Sequence, residues 1–267
     1  MITYPFQYKK AGSVAEAVAM LADGGKALSG GHSLIPAMKL RLNAPDTLVD
    51  VGRLADLKGI SLDGSELVIG AGTTHGEIAQ SALVKQHLSM FAEGAGHIGD
   101  PSVRNRGTIG GSLAHADPAA DWPAMVLAAD ATMVLQSTRG SRNVKAGEFF
   151  TGMFSTALAD DELLTQVRVP VEAGMKMTYQ KFSQPASRYA IVGCAVAKSV
   201  SGQVRVAFSG VSDTPFRDVA AEQAINGGQS TATAAAGQSI MSDHYASEDY
   251  RQHLANVYLG KALAAVA

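Results

Sequence analysis

The first 55 residues alternate short apolar runs with amphipathic stretches. Residues 13–21 place apolar side chains on one helical face, and their first Ser and following Glu have the spacing of a capping box. Apolar runs at 26–29 and 47–51 predict buried strands, and residues 34–42 predict a second helix between them. A strand–helix–strand order with apolar strands indicates a small parallel sheet.

The middle of the chain predicts a second group of elements, which begins with a glycine-rich strand. Residues 67–73 have the pattern of a glycine-rich strand, Thr74 is placed to cap a helix from His75, and residues 83–96 predict one helix. A loop from His97 follows. The remaining predicted elements are a helix at 119–129 and strands at 132–137 and 163–169. The second strand ends at a proline, so we expect a domain boundary near residues 170–174.

The last third predicts an antiparallel sheet covered by helices. A strand at 176–182 precedes a hairpin whose strands, 190–200 and 203–211, turn at a Ser-Gly pair. Predicted helices follow at 216–226, 231–241 and 248–264. This order predicts an α+β domain with a three-stranded antiparallel sheet.

Composition and charge remove several functional classes. The chain has 267 residues, 46% hydrophobic and 17% charged, with a formal net charge of −2, which predicts a globular protein without a basic surface for nucleic acid. No apolar run approaches the ~20 residues of a membrane span, and the start lacks a signal-peptide pattern. One cysteine, Cys194, cannot form an internal disulfide or hold an iron–sulfur cluster. We therefore expect a cytoplasmic protein.

Two glycine turns carry the candidate chemistry. Residues 26–40 and 104–114 each contain a Gly-Gly pair flanked by small hydroxyl residues. Glycine allows the backbone N–H groups of such a turn to converge on an anion, and two turns suit the two phosphates of a dinucleotide. Neither matches the Rossmann fingerprint or the phosphate loop. Because ordinary tight turns have the same glycines, this pattern alone leaves both interpretations open.

The residues around the turns resemble one family. Residues 29–36 with 39–42, and residues 104–121, resemble the FAD-binding medium subunit of the molybdenum hydroxylases, the carbon monoxide dehydrogenase and xanthine dehydrogenase family. The resemblance runs from about Tyr4 to the C-terminus. It implies an α+β fold, with a two-part FAD-binding domain of the vanillyl-alcohol-oxidase/p-cresol-methylhydroxylase type at 1–172 (sub-parts about 1–55 and 56–172). A smaller α+β domain at 173–267 would cover the flavin.

The resemblance also implies which residues contact FAD. The glycine turns would hold the pyrophosphate, Asp121 the ribose, and Leu164 the adenine. Lys181 would lie near the nucleotide portion and Tyr189 near the isoalloxazine. The implied cofactor-binding residues are Ser29, Gly30, Gly31, His32, Ser33, Leu34, Thr108, Ile109, Gly110, Gly111, Ser112, Asp121, Leu164, Lys181 and Tyr189. No catalytic side chain and no metal site are expected in this chain, because the flavin carries the chemistry.

Most of these residues have a plain structural interpretation beside the functional one. His32 fits a polar loop residue, Asp121 an acid at a helix start, Leu164 a buried strand residue and Tyr189 a strand aromatic. The pair Arg104 and Arg106 is placed to clamp phosphate, to brace the loop or to face a partner. The residues His97, Asp100 and His115 do not have the spacing of metal ligands. A basic Arg188 beside Tyr189 favours the carbon monoxide dehydrogenase-like branch.

The resemblance further implies partners and an electron path. FAD would be bound by this chain, and molybdopterin and [2Fe-2S] clusters by partner chains: a large molybdenum-cofactor subunit and a small iron–sulfur subunit, assembled as a dimer of heterotrimers. Electrons from the clusters would reach the flavin and leave to an external acceptor, with membrane association only through the complex. A free-standing flavin-dependent oxidase or dehydrogenase of the same fold and a non-catalytic assembly subunit are the alternatives. The substrate and the acceptor stay open.

Overall fold

A computed structural model describes residues 2–229 and 232–267. The elements of its first part are β1 (Gln7–Lys10), α1 (Val14–Ala22), β2 (Lys26–Leu28), α2 (Leu34–Lys39) and β3 (Thr47–Asp50). These strands form a parallel sheet ordered β1-β3-β2. The parallel pairing of β2 with β3 is the one that the predicted strand–helix–strand order indicates. Strand β1 is exposed along its whole length, which explains why the hydrophobic pattern did not indicate it. Helix α1 buries Ala17, Val18 and Leu21 in the same core as Val49 and Val51.

The second part is built on an antiparallel sheet. Its elements are a 3₁₀ turn (Ala55–Leu57), β4 (Ile60–Asp63), β5 (Glu66–Gly70), α3 (His75–Gln80), α4 (Ala82–His87), α5 (Ser89–His97), α6 (Pro101–Arg104), α7 (Ile109–His115), α8 (Asp121–Ala128), β6 (Thr132–Ser137), β7 (Gly140–Lys145), α9 (Ala146–Phe149), β8 (Phe150–Gly152), β9 (Ser155–Thr156) and β10 (Leu163–Pro170). The sheet order is β4-β5-β10-β6-β7. The core of this part contains the fully buried rings of Phe91, Trp122 and Phe149.

The third part is also antiparallel. Its elements are β11 (Lys176–Ser183), β12 (Ala190–Lys198), β13 (Val204–Ser209), β14 (Phe216–Arg217), α10 (Val219–Asn226) and α11 (Glu248–Ala265). The sheet is ordered β11-β12-β13-β14, so a short strand adds to the predicted three. The helix predicted to begin at Phe216 begins instead at Val219, because the Phe216 ring packs 5.7 Å from that of Phe208 while its strand pairs with β13. Asp218 caps the helix by accepting the Ala221 N–H.

The helix predicted over residues 231–241 is wrong for the described residues from 232 onward, and its first residue lies outside them. The N–H groups of Ala234 and Ala235 donate to the side chains of Asn256 and Asp218, at 2.9 and 2.6 Å, and not to helical carbonyls. Both alanines are buried, and Ala235 has a φ of 56°. Tertiary hydrogen bonds therefore override the helix propensity of this alanine-rich run.

Two other predicted helices have different bounds. The helix predicted at 83–96 is divided into α4 and α5 at Leu88, whose side chain is fully buried and whose backbone is non-helical, with φ −138° and ψ 60°. The helix predicted to reach residue 42 ends at Lys39, because Arg41 takes a φ of 61° and the Leu42 N–H closes the end on Ala37 O. These ends depend on backbone geometry and core contacts that periodicity does not encode.

Helix α8 lies where the second part meets the sheet of the third. Every one of its residues is buried, and it contacts α5 on one side and strands β12 and β13 on the other. The segment just before it is bound to the third part through the backbone: the N–H of Gly210 donates to Pro118 O at 2.7 Å, and that of Ala190 to Ala119 O at 3.1 Å. This segment and the first residue of α8, Asp121, therefore sit where the second and third parts meet.

Candidate functional site

The two glycine turns lie against each other. A Cβ at Gly30 would lie 2.2 Å from the carbonyl oxygen of Arg106 and 2.9 Å from the Cα of Gly107, so only glycine permits this approach. The hydroxyls of Ser29 and Thr108 are 3.1 Å apart at the same contact. The close packing of two distant segments thus brings their hydroxyl residues to one place.

The first turn presents a row of unused backbone donors. Among the described residues, no acceptor hydrogen-bonds the N–H groups of residues 30–34. Gly31 has a φ of 76°, and His32 donates through Nδ1 to Gly30 O at 2.9 Å, which closes the turn on itself. Ser33 precedes α2 but makes no side-chain hydrogen bond that caps it. Successive unpaired N–H groups in such a turn form an anion-binding concavity.

The backbone of the second turn is used differently. The N–H groups of Ile109 and Gly110 donate to Thr73 O and Ala71 O, at 3.1 and 2.9 Å, and that of Ser112 donates to Thr108 O. Thr108 caps α7 by accepting the Gly111 N–H on Oγ1. The expectation that both turns offer free amides is therefore wrong for residues 109–112 of the second turn. Its contribution comes from the hydroxyls and from the space left by glycine.

Both turns line one cleft of about 650 Å³. The predicted site residues among its lining are Ser29, Gly30, Gly31, His32, Ser33, Leu34, Thr108, Gly110, Gly111, Ser112, Asp121, Leu164 and Tyr189. Two predicted residues lie outside the lining, Ile109 and Lys181. Ile109 is fully buried in the core, and the ammonium of Lys181 lies behind the cleft wall. Residues 154–164, including β9, supply the wall that carries Leu164.

A buried charge pair joins the second and third parts beside the cleft. Asp121 accepts hydrogen bonds from the Lys181 Nζ at 2.9 Å and from the Tyr179 hydroxyl at 2.6 Å. The side chains of Lys181 and Asp121 are only 4% and 5% exposed. Burial raises the pKa of Asp121 and the nearby ammonium opposes this shift, while burial raises the pKa of Tyr179 well above its usual range. Asp121 thus faces the cleft with both oxygens already hydrogen-bonded.

The loop before β12 covers one side of the cleft. Arg188 has a φ of 61°, and its carbonyl accepts the Lys181 ammonium at 2.8 Å, which holds this uncommon conformation. Tyr189 follows, and 42% of the residue is exposed. Partial desolvation of its hydroxyl, followed by the charges of Asp117 and Asp121, raises the pKa of Tyr189 to about 12. A neutral aromatic ring on a braced loop is suited to cover a planar ligand.

His75 is a cleft residue that the sequence predicted only as a helix start. Its ring is buried and lines the cleft, and its Nδ1 accepts the indole N–H of Trp122 at 3.1 Å. Burial, with the charges of His32 and Arg104, lowers its pKa to about 4. The signal available in the sequence was a histidine directly after a capping threonine that ends a glycine-rich strand.

The other features considered from the sequence do not add to the cleft. Arg104 donates to the carbonyls of Ile98 and Gly99 at 3.0 and 2.9 Å, which favours the loop-bracing interpretation over a phosphate clamp. Across residues 2–229 and 232–267, three or more His, Cys, Asp or Glu side chains nowhere converge as metal ligands would. No helix in the part of the chain that the structure describes combines the length and apolar character needed to cross a membrane.

Comparison with known families matches nearly the whole chain. Residues 4–172 match the FAD binding domain in molybdopterin dehydrogenase, and residues 177–266 match the CO dehydrogenase flavoprotein C-terminal domain. The chain belongs to this family of FAD-binding subunits. The resemblance stated from the glycine turns is thereby confirmed, as is the fold of an FAD-binding domain followed by a smaller α+β domain.

Two similar proteins are named as medium chains. The carbon monoxide dehydrogenase medium chain of Hydrogenophaga pseudoflava is 42% identical over 225 residues, covering 81% of this chain and 78% of the relative. The glyceraldehyde dehydrogenase medium chain of Sulfolobus acidocaldarius is 38% identical, covering 99% and 100%. A solved structure of the Hydrogenophaga pseudoflava enzyme, lacking the Mo-pyranopterin moiety of its molybdenum cofactor, superposes with a TM-score of 0.95 at 39% identity, covering 100% and 98%.

Proposed function

We propose that this medium subunit binds FAD in the cleft and transfers electrons from a partner's iron–sulfur clusters to an external acceptor. The observation that carries the proposal is the row of N–H donors at residues 30–34, which have no acceptor among the described residues and belong to residues that line the cleft, in a chain whose family binds FAD. These donors fit a pyrophosphate, because backbone N–H groups are neutral donors that can surround a charged oxygen at close range. When bound, FAD would supply the coupling between one-electron and two-electron transfer.

The roles of the other lining residues follow from their positions. The hydroxyls of Thr108 and Ser112 would complete the pyrophosphate contacts from the second turn. Leu164 is a buried residue of the cleft wall suited to an adenine face. Asp121 would accept a ribose hydroxyl, since each carboxylate oxygen has a second lone pair. Tyr189 would cover the isoalloxazine and limit its contact with water.

Lys181 would act indirectly in this arrangement. Its ammonium contacts Asp121 and the Arg188 carbonyl and does not line the cleft. It would therefore fix the ribose-binding carboxylate and the loop that carries Tyr189. We propose a boundary between the two domains near residues 170–174, which is compatible with family matches that end at residue 172 and resume at 177.

We also propose the assembly that the family names suggest. Several relatives are named as the medium chain of an enzyme, which favours a subunit over a free-standing oxidase. The partners would be a large molybdenum-cofactor subunit and a small subunit with [2Fe-2S] clusters, in a cytoplasmic dimer of heterotrimers. The substrate would bind in another chain, because relatives of similar identity carry the names of different enzymes, one for carbon monoxide and one for glyceraldehyde.

Replacing Gly111 by valine tests the cleft assignment. Gly111 lines the cleft, and its added side chain meets only Thr108 Oγ1 within 4 Å, at 2.8 Å. We expect Gly111→Val to lose FAD retention while keeping its far-ultraviolet circular dichroism. Gly96→Val is the matched control, since a Cβ there meets nothing within 4 Å.

The measurement is the flavin absorbance left after soaking in FAD and desalting, for the chain alone and for the assembled complex. Full retention by the Gly111→Val variant would show that the pyrophosphate lies elsewhere. A colourless wild-type complex would refute the proposed function itself.

A further inference from the structure

His75 holds a single, defined arrangement of its ring nitrogens. An indole N–H can only donate, so the Nδ1 that Trp122 contacts must carry a lone pair. Trp122 is fully buried within α8, and the backbone N–H of His75 is bonded to Gly107 O at 3.0 Å, so neither partner is free to move away. A neutral imidazole with an accepting Nδ1 carries its proton on Nε2.

The Nε2–H group has no protein partner. Among the described residues no acceptor hydrogen-bonds it, although the side chain is only 4% exposed. The atom is nevertheless not sealed in the core, since the only side-chain nitrogen or oxygen found both fully buried and unpaired in the described residues is Nε of Arg251. His75 lines the cleft, and the cleft is therefore where Nε2 is accessible.

A glycine keeps the position next to Nε2 open. A Cβ at Gly107 would lie 2.7 Å from Nε2, and Gly107 also lines the cleft. This residue directly precedes Thr108 of the second turn, which contacts Ser29 of the first. The donor thus lies beside the place where both turns meet. A ligand that fills the cleft covers this donor, and a covered donor without an acceptor is unfavourable, so a ligand oxygen that accepts from Nε2 gains affinity.

We propose that His75 is a further ligand-binding residue of this cleft, donating a hydrogen bond from Nε2 to an acceptor oxygen of the bound cofactor, with Trp122 as the residue that positions its ring. The proposal rests on the proposed function, because it assigns a contact within the same FAD site. Oxygens of two groups have the required chemistry, those of the pyrophosphate and those of the flavin ring. A charged histidine is not required, which distinguishes this contact from the ion pairs that usually hold phosphate.

Binding of FAD to the purified full-length chain tests the contact. Quenching of flavin fluorescence gives the dissociation constant for wild type, His75→Phe, His75→Gln and Trp122→Phe, each checked for thermal unfolding. We expect His75→Phe to weaken FAD binding about tenfold, the size of effect of one lost hydrogen bond. His75→Gln keeps an N–H donor and should recover part of that loss. Wild-type affinity in a folded His75→Phe variant would overturn the inference.

Nitrogen NMR of the chain labelled at histidine provides a readout that does not depend on binding strength. We expect His75 at pH 7 to show an unprotonated Nδ1 and a protonated Nε2, the Nε2 signal to move when FAD is added, and Trp122→Phe to abolish the single tautomer. A proton on Nδ1 would overturn the inference. Failure of wild type and complex alike to bind FAD would instead refute the proposed function.

The same variants separate the two candidate oxygens. If the pyrophosphate accepts the hydrogen bond, ADP makes the same contact as FAD, so in His75→Phe the ADP inhibition constant should rise by about as much as the FAD dissociation constant. If the flavin ring accepts it, the ADP constant should stay constant and the visible absorption band of the bound flavin should shift. Either result supports the contact. If His75→Phe alters neither the ADP inhibition constant nor the absorption band, the proposal is contradicted.

Discussion

Gly30 and Gly111 each belong to the Gly-Gly pair of one turn, and the structure requires them for different reasons. Gly30 permits contact between two backbone segments, because a side chain there would meet the Arg106 carbonyl at 2.2 Å. Gly111 instead leaves space at the cleft wall, with only a hydroxyl within reach of an added Cβ. One glycine therefore maintains the shape of the site, and the other leaves room for its ligand.

Replacing Gly30 by alanine should damage both stability and binding. The added methyl group would force the two turns apart, and overpacking of this kind costs about 1–3 kcal/mol of unfolding free energy. We expect the FAD dissociation constant to rise at the same time. Urea unfolding and flavin fluorescence measure the two effects. Gly147→Ala, where nothing lies within 4 Å, should change neither; a Gly30→Ala variant as stable as wild type would contradict the packing argument.

The buried His75 should make stability depend on pH. In the unfolded chain it binds a proton below pH 6.5, but in the folded chain only below about 4. Unfolding therefore becomes easier as pH falls from 6.5 towards 4, by about 3 kcal/mol in total for this group. Urea unfolding of the cofactor-free chain across this range measures the slope. His75→Gln should have a shallower slope, and equal slopes would show that His75 titrates normally.

The sequence predicted which residues would lie near one another better than it predicted their hydrogen bonds. The glycine pairs and their hydroxyl neighbours are local signals, and the structure brings almost all of them to one cleft. Which amides are free depends on partners far along the chain, such as Thr73 for Ile109. The Trp122–His75 contact joins residues 47 positions apart, so no local pattern could indicate it.

At the level of elements, the predictions held where apolar periodicity and a cap agreed. Helix α1 begins after Ser13, as predicted. The Glu16 carboxylate accepts the N–H of Gly12 and not that of Ser13, so the predicted capping box is incomplete. The exposed edge strand β1 and the break at Leu88 were missed, because neither follows from a local alternation. Sheet pairing and core contacts decide such features, and both are long-range.

Two serines at helix starts should respond differently to alanine. Ser13 accepts the Glu16 N–H at 3.1 Å, so Ser13→Ala should lower the unfolding free energy by about 1 kcal/mol. Ser33 makes no side-chain cap bond to α2, so Ser33→Ala should change it by no more than a few tenths of a kcal/mol. Urea denaturation compares the two. A larger loss for Ser33→Ala would mean that its hydroxyl caps the helix after all.

At the scale of the whole molecule, the two domains meet in an interface to which both contribute hydrogen bonds. The carbonyls of Pro118 and Ala119 accept hydrogen bonds from N–H groups of the third part. Asp121 accepts hydrogen bonds from Lys181 and Tyr179 of β11. Since α8 is buried and packs on helices of the second part and on the sheet of the third, separating the domains would expose its apolar residues. The cleft is lined from both sides of this boundary, so its geometry depends on an intact interface.

Removing the charge of Asp121 should destabilise the whole chain. Asp121→Asn leaves the buried Lys181 ammonium without a counter-ion, which costs about 3–5 kcal/mol. Asp63→Asn is the matched control, since its 2.6 Å pair with Arg168 has the carboxylate side chain 65% exposed and should be worth less than about 1 kcal/mol. Urea denaturation of both variants measures the difference. Equal losses would mean that the buried pair adds nothing beyond an exposed one.

The donors of residues 30–34 also bear on how the protein should be handled. Backbone N–H groups recognise the oxygens of any tetrahedral anion and do not discriminate between an organic and an inorganic phosphate. Phosphate or sulfate in a purification buffer would therefore compete with the cofactor for the turn. The apparent affinity for FAD would fall as buffer phosphate rises, and reconstitution is best carried out in an amine or sulfonate buffer.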